Sequence, residues 1–153
     1  MKRQQLMLIS VLSFPILLLV AMIGCSGGQP AQSAKAGPEP NFSTDSPYVS
    51  INELKQEFDR GASMIILDAR PKQDYELDHI AGAISMPFFE VEQRYKELPR
   101  DTWIVTYCAC PTAEAEEAAR ILGEKGFKKV RVFYEGYFEW LAREYPITKG
   151  SES

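Results

Sequence analysis

The chain has 153 residues, 45% hydrophobic and 25% charged, with a formal net charge of −4, which suits one domain with its own core. Lys2 and Arg3 lie in a segment expected to be removed, leaving 15 of the 17 basic residues against 21 acidic ones; a surface of that sign excludes nucleic acid as a partner. Cys25 stands far from the close pair Cys108 and Cys110, which excludes a disulfide framework.

Met1 to Arg3 form a short basic start, and Leu6 to Ile23 carry no charge before Gly24-Cys25-Ser26-Gly27-Gly28. Residues 1–24 read as an export signal. The alternative is an uncleaved membrane span, since about 20 apolar residues suffice for one. Met22-Ile23-Gly24-Cys25 resembles the lipobox of bacterial lipoproteins. That resemblance implies a mature protein that begins at a lipidated Cys25, held to a membrane of the cell envelope by its acyl chains. From Ser26 to Pro47 the residues are mostly Gly, Pro, Ala, Ser and Gln, and Phe42 is the only large apolar one. Residues 25–47 are therefore expected to be a flexible tether with no chemistry of its own.

The folded domain is expected over residues 48–147, with a disordered tail at 148–153. Tyr48-Val49 reads as a short strand. Ser50 with Glu53 fits a capping box, Ile51, Leu54 and Phe58 share a helical face, and Gly61 stops that helix. Met64-Ile65-Ile66-Leu67 is a continuous apolar run, as in a strand buried on both faces, and Asp68-Ala69-Arg70 closes it. Pro71 to Leu77 is a short polar helix, Ala83 to Met86 a strand, and Val91, Tyr95 and Leu98 mark a further helix. Trp103 to Tyr107 is the central strand, and Ala115, Ala118, Ala119 and Leu122 fall at helical spacing up to Gly126. Val130 to Phe133 is a strand, and Gly136 opens a last, aromatic helix. Strands that alternate with helices, with no two-residue hairpins, make an α/β fold with a central parallel sheet covered on both sides. In such sheets function gathers at the carboxyl ends of the strands. Asp68, Arg70, Cys108 and Cys110 all lie at such ends.

The run Trp103-Ile104-Val105-Thr106-Tyr107-Cys108 puts a thiol where a buried strand hands over to a helix start. Unpaired N–H groups there favour thiolate over thiol. Cys108 is expected to point into that cradle as a low-pKa thiol, and Cys110, beside Pro111, to lie on its rim. The plainer reading makes Cys108 a small core hydrophobe.

Several separated blocks resemble the rhodanese-like domain family of sulfurtransferases. They are Leu67-Asp68-Ala69-Arg70, Asp74-Tyr75, Asp78-His79-Ile80-Ala81-Gly82-Ala83-Ile84, Ile104 to Cys108, and Glu135-Gly136 followed by Trp140. The resemblance implies a three-layer rhodanese-like domain in which Cys108 carries a persulfide, taking sulfur from a small-molecule or protein donor and giving it to a thiol acceptor. It places Ala109, Pro111, Thr112, Ala113 and Glu114 in the substrate loop, and Asp68, Arg70, Asp74 and His79 in a structural bracket beneath it. The family's loop carries a glycine three residues after the cysteine and commonly an arginine five after. Here these positions hold Pro111 and Ala113, followed by Glu114, a departure that disfavours dianionic thiosulfate. No cofactor is implied, and two thiolates with one distant imidazole make no complete metal site. Two other functions are open to the same residues. One is thiol-disulfide redox chemistry, with Cys108 and Cys110 forming a reversible disulfide and Cys110 able to resolve a Cys108 persulfide; the other is a non-catalytic binding module.

Overall fold

In chain order the strands are β1 (Tyr48–Val49), β2 (Met64–Asp68), β3 (Asp78–Ile80), β4 (Ile84–Ser85), β5 (Trp103–Tyr107), β6 (Val130–Phe133) and β7 (Ile147–Lys149). The helices are α1 (Ile51–Asp59), α2 (Lys72–Leu77), α3 (Val91–Arg94), α4 (Ala113–Glu124) and α5 (Gly136–Ala142). This computed structural model describes residues 37–109 and 112–150. The expected export signal at residues 1–24 and the expected lipidation site Cys25, together with Cys110 and Pro111, lie outside the described residues.

Five strands form one parallel sheet in the order β1-β6-β5-β2-β4. The apolar runs take the inner positions, where both faces of a strand leave water. Successive side chains then serve two separate cores. Ile66 and Val105 join Ile51, Leu54, Phe133 and Trp140 on one face. Ile65, Leu67 and Ile104 join Ala118, Leu122 and Phe127 on the other. Alanines on the inner side of α4 let that helix lie close to the sheet, which brings its first turn near the end of β5. The Thr106 hydroxyl donates to the Ala115 carbonyl at 2.9 Å, fixing this approach.

The α1 start is as expected. The Glu53 carboxylate accepts the Ser50 N–H at 2.9 Å, and the Ser50 hydroxyl oxygen accepts the Glu53 N–H at 3.4 Å. The strand expected over Ala83–Met86 is reduced to Ile84–Ser85. The helix expected around Val91–Leu98 is a single α-helical turn between two 3₁₀ turns at residues 88–90 and 95–97.

Three further differences come from tertiary pairing. The block at Asp78–Ile80 is a strand, joined antiparallel to β7 in a second, two-stranded sheet with His79 opposite Thr148. The expected tail therefore gives up Thr148 and Lys149 to β7, because a lone β3 would leave its backbone polar groups unpaired. Most unlike the expectation, residues 37–47 are tied to the domain by Phe42 and several polar contacts, although most of their side chains remain exposed. Phe42 is buried and meets the Trp103 ring edge-on at 5.4 Å between centroids. Ser63 N–H donates to the Pro38 carbonyl at 2.8 Å, and Arg131 Nη2 to the Ser43 carbonyl at 3.0 Å. The Glu39 carboxylate accepts from Trp103 Nε1 at 3.1 Å and from Lys129 Nζ at 2.6 Å. Composition averaged over the segment hides this, since burying one phenylalanine contributes about 1.5–3 kcal/mol. This strap grips the amino-terminal ends of β2 and β5. No helix among the described residues is long and apolar enough to cross a membrane.

Candidate active site

Cys108 is the first residue beyond β5, and it is buried, with 1% of its surface exposed. Its sulfur faces the N–H groups of Glu114 and Ala115 in the first turn of α4. The cradle is thus present, yet its electrostatics oppose the expected low-pKa thiol. Burial pushes the Cys108 thiol up and is the largest influence. The Ala115 and Glu114 N–H groups pull it down, while the Glu114 and Asp68 charges add to the rise. The expectation counted donors at a helix start and omitted the cost of taking a thiolate out of water.

Beneath the loop lies a buried ion pair. Arg70 Nη2 donates to Asp68 Oδ2 at 2.7 Å and Nε to Oδ1 at 3.0 Å, while the Arg70 N–H donates to Oδ1 at 3.0 Å. Arg70 Nη2 also donates to the Asp78 carbonyl at 2.7 Å. Burial works against the guanidinium charge, but the Asp68 hydrogen bond and charge outweigh it, so Arg70 is held above its ordinary range. The guanidinium lies 4.1 Å from the centre of the Tyr137 ring. The Tyr107 hydroxyl donates to Asp68 Oδ2 at 2.5 Å and accepts the Ile80 N–H at 3.2 Å. Burial, then the Asp68 charge, keeps this phenol well above the usual range.

The opposite wall is Gly136, the first residue of α5. The next N–H, from Tyr137, donates to the Cys108 carbonyl at 2.8 Å. At Gly136 φ is +74°, and a Cβ there would stand 2.6 Å from the Ala109 carbonyl oxygen and 2.9 Å from that of Cys108. Both obstacles are backbone. Gly136→Ala is therefore expected to lose about 1–2 kcal/mol from the left-handed conformation alone, and to push the cysteine loop away. Chemical denaturation and thiol alkylation rates would show both effects; an unchanged alkylation rate would mean that Gly136 does not support the loop.

The sequence profile described as Rhodanese-like domain matches residues 50–143. The chain belongs to the rhodanese-like domain family. Among relatives, it is 37% identical over 98 residues to "Putative sulfur carrier protein YrkF" of Bacillus subtilis (strain 168). That match covers 63% of this chain, which itself spans only 52% of the length of YrkF. It is 26% identical over 96 residues to thiosulfate sulfurtransferase GlpE of Coxiella burnetii, covering 62% of this chain and 89% of that one. Among solved structures, the rhodanese-like domain of the Anabaena protein Alr3790 superposes with a TM-score of 0.63 at 28% identity. That superposition covers 71% of this chain and 83% of the Anabaena domain.

Within this rhodanese-like domain the residues expected in one bracket separate. Asp68 and Arg70 pair as described. His79 is fully buried on β3, stacked on the Tyr75 ring at 3.8 Å, with Nδ1 2.9 Å from the Tyr75 carbonyl. It is packed in the wall of the domain. Asp74 sits in the first turn of α2, where its charge acts on Glu114. In the loop, the Ala109 carbonyl abuts Gly136, the Thr112 hydroxyl donates to Glu116 Oε1 at 2.8 Å, and Ala113 is exposed. Glu114 is half-buried. Burial raises its carboxyl, Asp74 and then Asp68 raise it further, and Arg70 opposes them. No group of three or more His, Cys, Asp or Glu among the described residues could hold a metal ion.

Sequence reasoning passed over Tyr107, Tyr137 and Thr106. An aromatic or β-branched residue in or beside a strand looks like filling for the core. Only the paired register of Asp68 opposite Tyr107 shows that this hydroxyl reaches the carboxylate. Gly136 was signalled by the Glu135-Gly136 block, without its cause.

Proposed function

We propose that this domain is a sulfurtransferase or persulfide carrier working through Cys108. A donor hydropersulfide brings its outer sulfur to the Cys108 thiolate. The donor S–S bond breaks, the proton of the outer sulfur passes to the departing donor, which leaves as a thiol, and Cys108 carries the sulfur as a persulfide anion. An acceptor thiolate then attacks that outer sulfur, the Cys108 S–S bond breaks, and the Cys108 thiolate returns. Neither half changes the overall oxidation state. The observation that carries this reading is the sulfur at the end of β5 with two N–H groups of α4 upon it, suited to an anion that water does not solvate. The persulfide also extends the reactive atom by about 2 Å, one S–S bond, out of the buried position. Support comes from the family and from the names of YrkF and GlpE. Intact-mass measurement after exposure to a hydropersulfide should show a gain of one sulfur atom, removed by reductant and localised to Cys108. A protein that never gains that mass would not be a carrier.

We also propose that the domain works at the cell envelope, held by a lipid on Cys25. The support is the uncharged run before Gly24-Cys25 and the basic start. Cys25→Ala should block lipidation and cleavage, so that a precursor retaining residues 1–24 accumulates; an unchanged mature mass in the variant would favour an uncleaved span.

A further inference from the structure

We infer that the surroundings of Cys108 at the start of α4 select neutral and cationic sulfur partners over anionic ones, with Glu114 and Asp74 as the residues that set this specificity. The inference rests on the persulfide-carrier reading and names the partner chemistry for the same site. Its first ground is the position of Glu114. The residue whose N–H faces the Cys108 sulfur carries a carboxylate into the same first turn, so an incoming group meets a negative charge beside the cradle. Asp74, in the first turn of α2, lies within electrostatic reach of that carboxylate. Among the described residues neither Glu114 nor Asp74 takes part in an ion pair, whereas Lys72 on the same helix as Asp74 is paired with Glu76 at 3.4 Å.

The second ground is that the nearby cation is committed. The Arg70 side chain is 5% exposed, bonds both Asp68 oxygens and the Asp78 carbonyl, and lies against the Tyr137 ring. Turning it toward an anionic substrate would strip Asp68 of its counter-charge inside the fold, so the pair stays neutral and contributes no attraction. The surroundings of Cys108 therefore keep the sign of the two carboxylates, Glu114 and Asp74. A sulfur donor or acceptor with ammonium or guanidinium groups near its thiol, such as a cysteine flanked by lysines on a partner protein, approaches favourably. Thiosulfate, a dianion, does not.

The test uses three small thiols of different charge on the loaded protein. Cys108 is charged with sulfur from a neutral alkyl hydropersulfide, and loading is verified by intact mass. Discharge is then timed with cysteamine, 2-mercaptoethanol and 3-mercaptopropionate, each rate being divided by the thiolate fraction. At low salt, cysteamine should exceed 3-mercaptopropionate by about tenfold, and the ratio should fall as salt is added. Glu114→Gln and Asp74→Asn should each shrink the ratio, and the double variant should bring it near one. Glu114→Arg should in addition load faster from thiosulfate. Because a ratio between thiols within one protein is read, a loss of folded protein in any variant does not mimic the effect. A ratio that is the same in unmodified protein, Glu114→Gln and Asp74→Asn, or that ignores salt, overturns the charge selection while the carrier reading stands. Absence of the sulfur adduct overturns the carrier reading and this selectivity with it.

Discussion

Cys108→Ser should reduce sulfur transfer to the uncatalysed background while shifting thermal unfolding little, because serine keeps the shape of a side chain whose sulfur does the chemistry. Thiolate is the nucleophile, and burial with the Glu114 charge raises the Cys108 thiol. The pH dependence follows in sign. A raised thiol holds its proton longer, so alkylation and sulfur loading should keep accelerating with pH beyond the ordinary cysteine value of about 8.5. Removing the Glu114 charge with Glu114→Gln should move the midpoint down. Iodoacetamide kinetics from neutral to alkaline pH, followed by peptide mapping, measure this. Full transfer activity in Cys108→Ser would remove Cys108 from the mechanism, and a midpoint below that of a small-molecule thiol would show that the helix N–H groups outweigh burial.

The second large effect is structural. Asp68→Ala should destabilise the domain by about 3–5 kcal/mol, the usual consequence of leaving a buried charge without its partner. Arg70 would keep the Asp78 carbonyl and the Tyr137 ring but lose the carboxylate that accepts three of its N–H bonds, and the Tyr107 hydroxyl would lose its acceptor as well. Replacing both charges, Asp68→Asn with Arg70→Met, should cost much less than the single change, since no uncompensated ion then remains. Urea unfolding of the single and double variants decides the matter. Equal losses would mean that the pair contributes through side-chain volume rather than through charge.

The layout of this domain was readable where a local pattern and its tertiary use coincide. The unbroken run Met64 to Leu67 could only be an inner strand, and the alanines of α4 could only face a sheet at close range. Cys108 was found because a strand, a cysteine and a helix start stand in direct sequence. Readings failed where a distant residue supplies the reason. Phe42 looks stranded among prolines and serines until Trp103 is brought against it, and Thr148 looks like tail until β3 needs a neighbour. The thiol was misjudged because its exposure is set by packing on all sides, which no spacing along the chain reveals. His79 and Asp74 were grouped with Asp68 and Arg70 through family likeness; His79 is stacked on Tyr75, and the Asp74 charge acts on Glu114.

The strap ahead of β1 also determines how this domain can be moored. Pro38 and Glu39 are bound beside Ser63 and Trp103, where β2 and β5 begin, and Cys108 lies where β5 ends. Five strand residues separate those two levels, about 16 Å at the usual rise. Whatever is attached upstream of Gly37, whether a bead, a fused protein or a bilayer, therefore pulls on the rear of the molecule. A load applied there is borne by Phe42 and the Glu39 contacts before it reaches the sheet, at the end of the strands opposite Cys108.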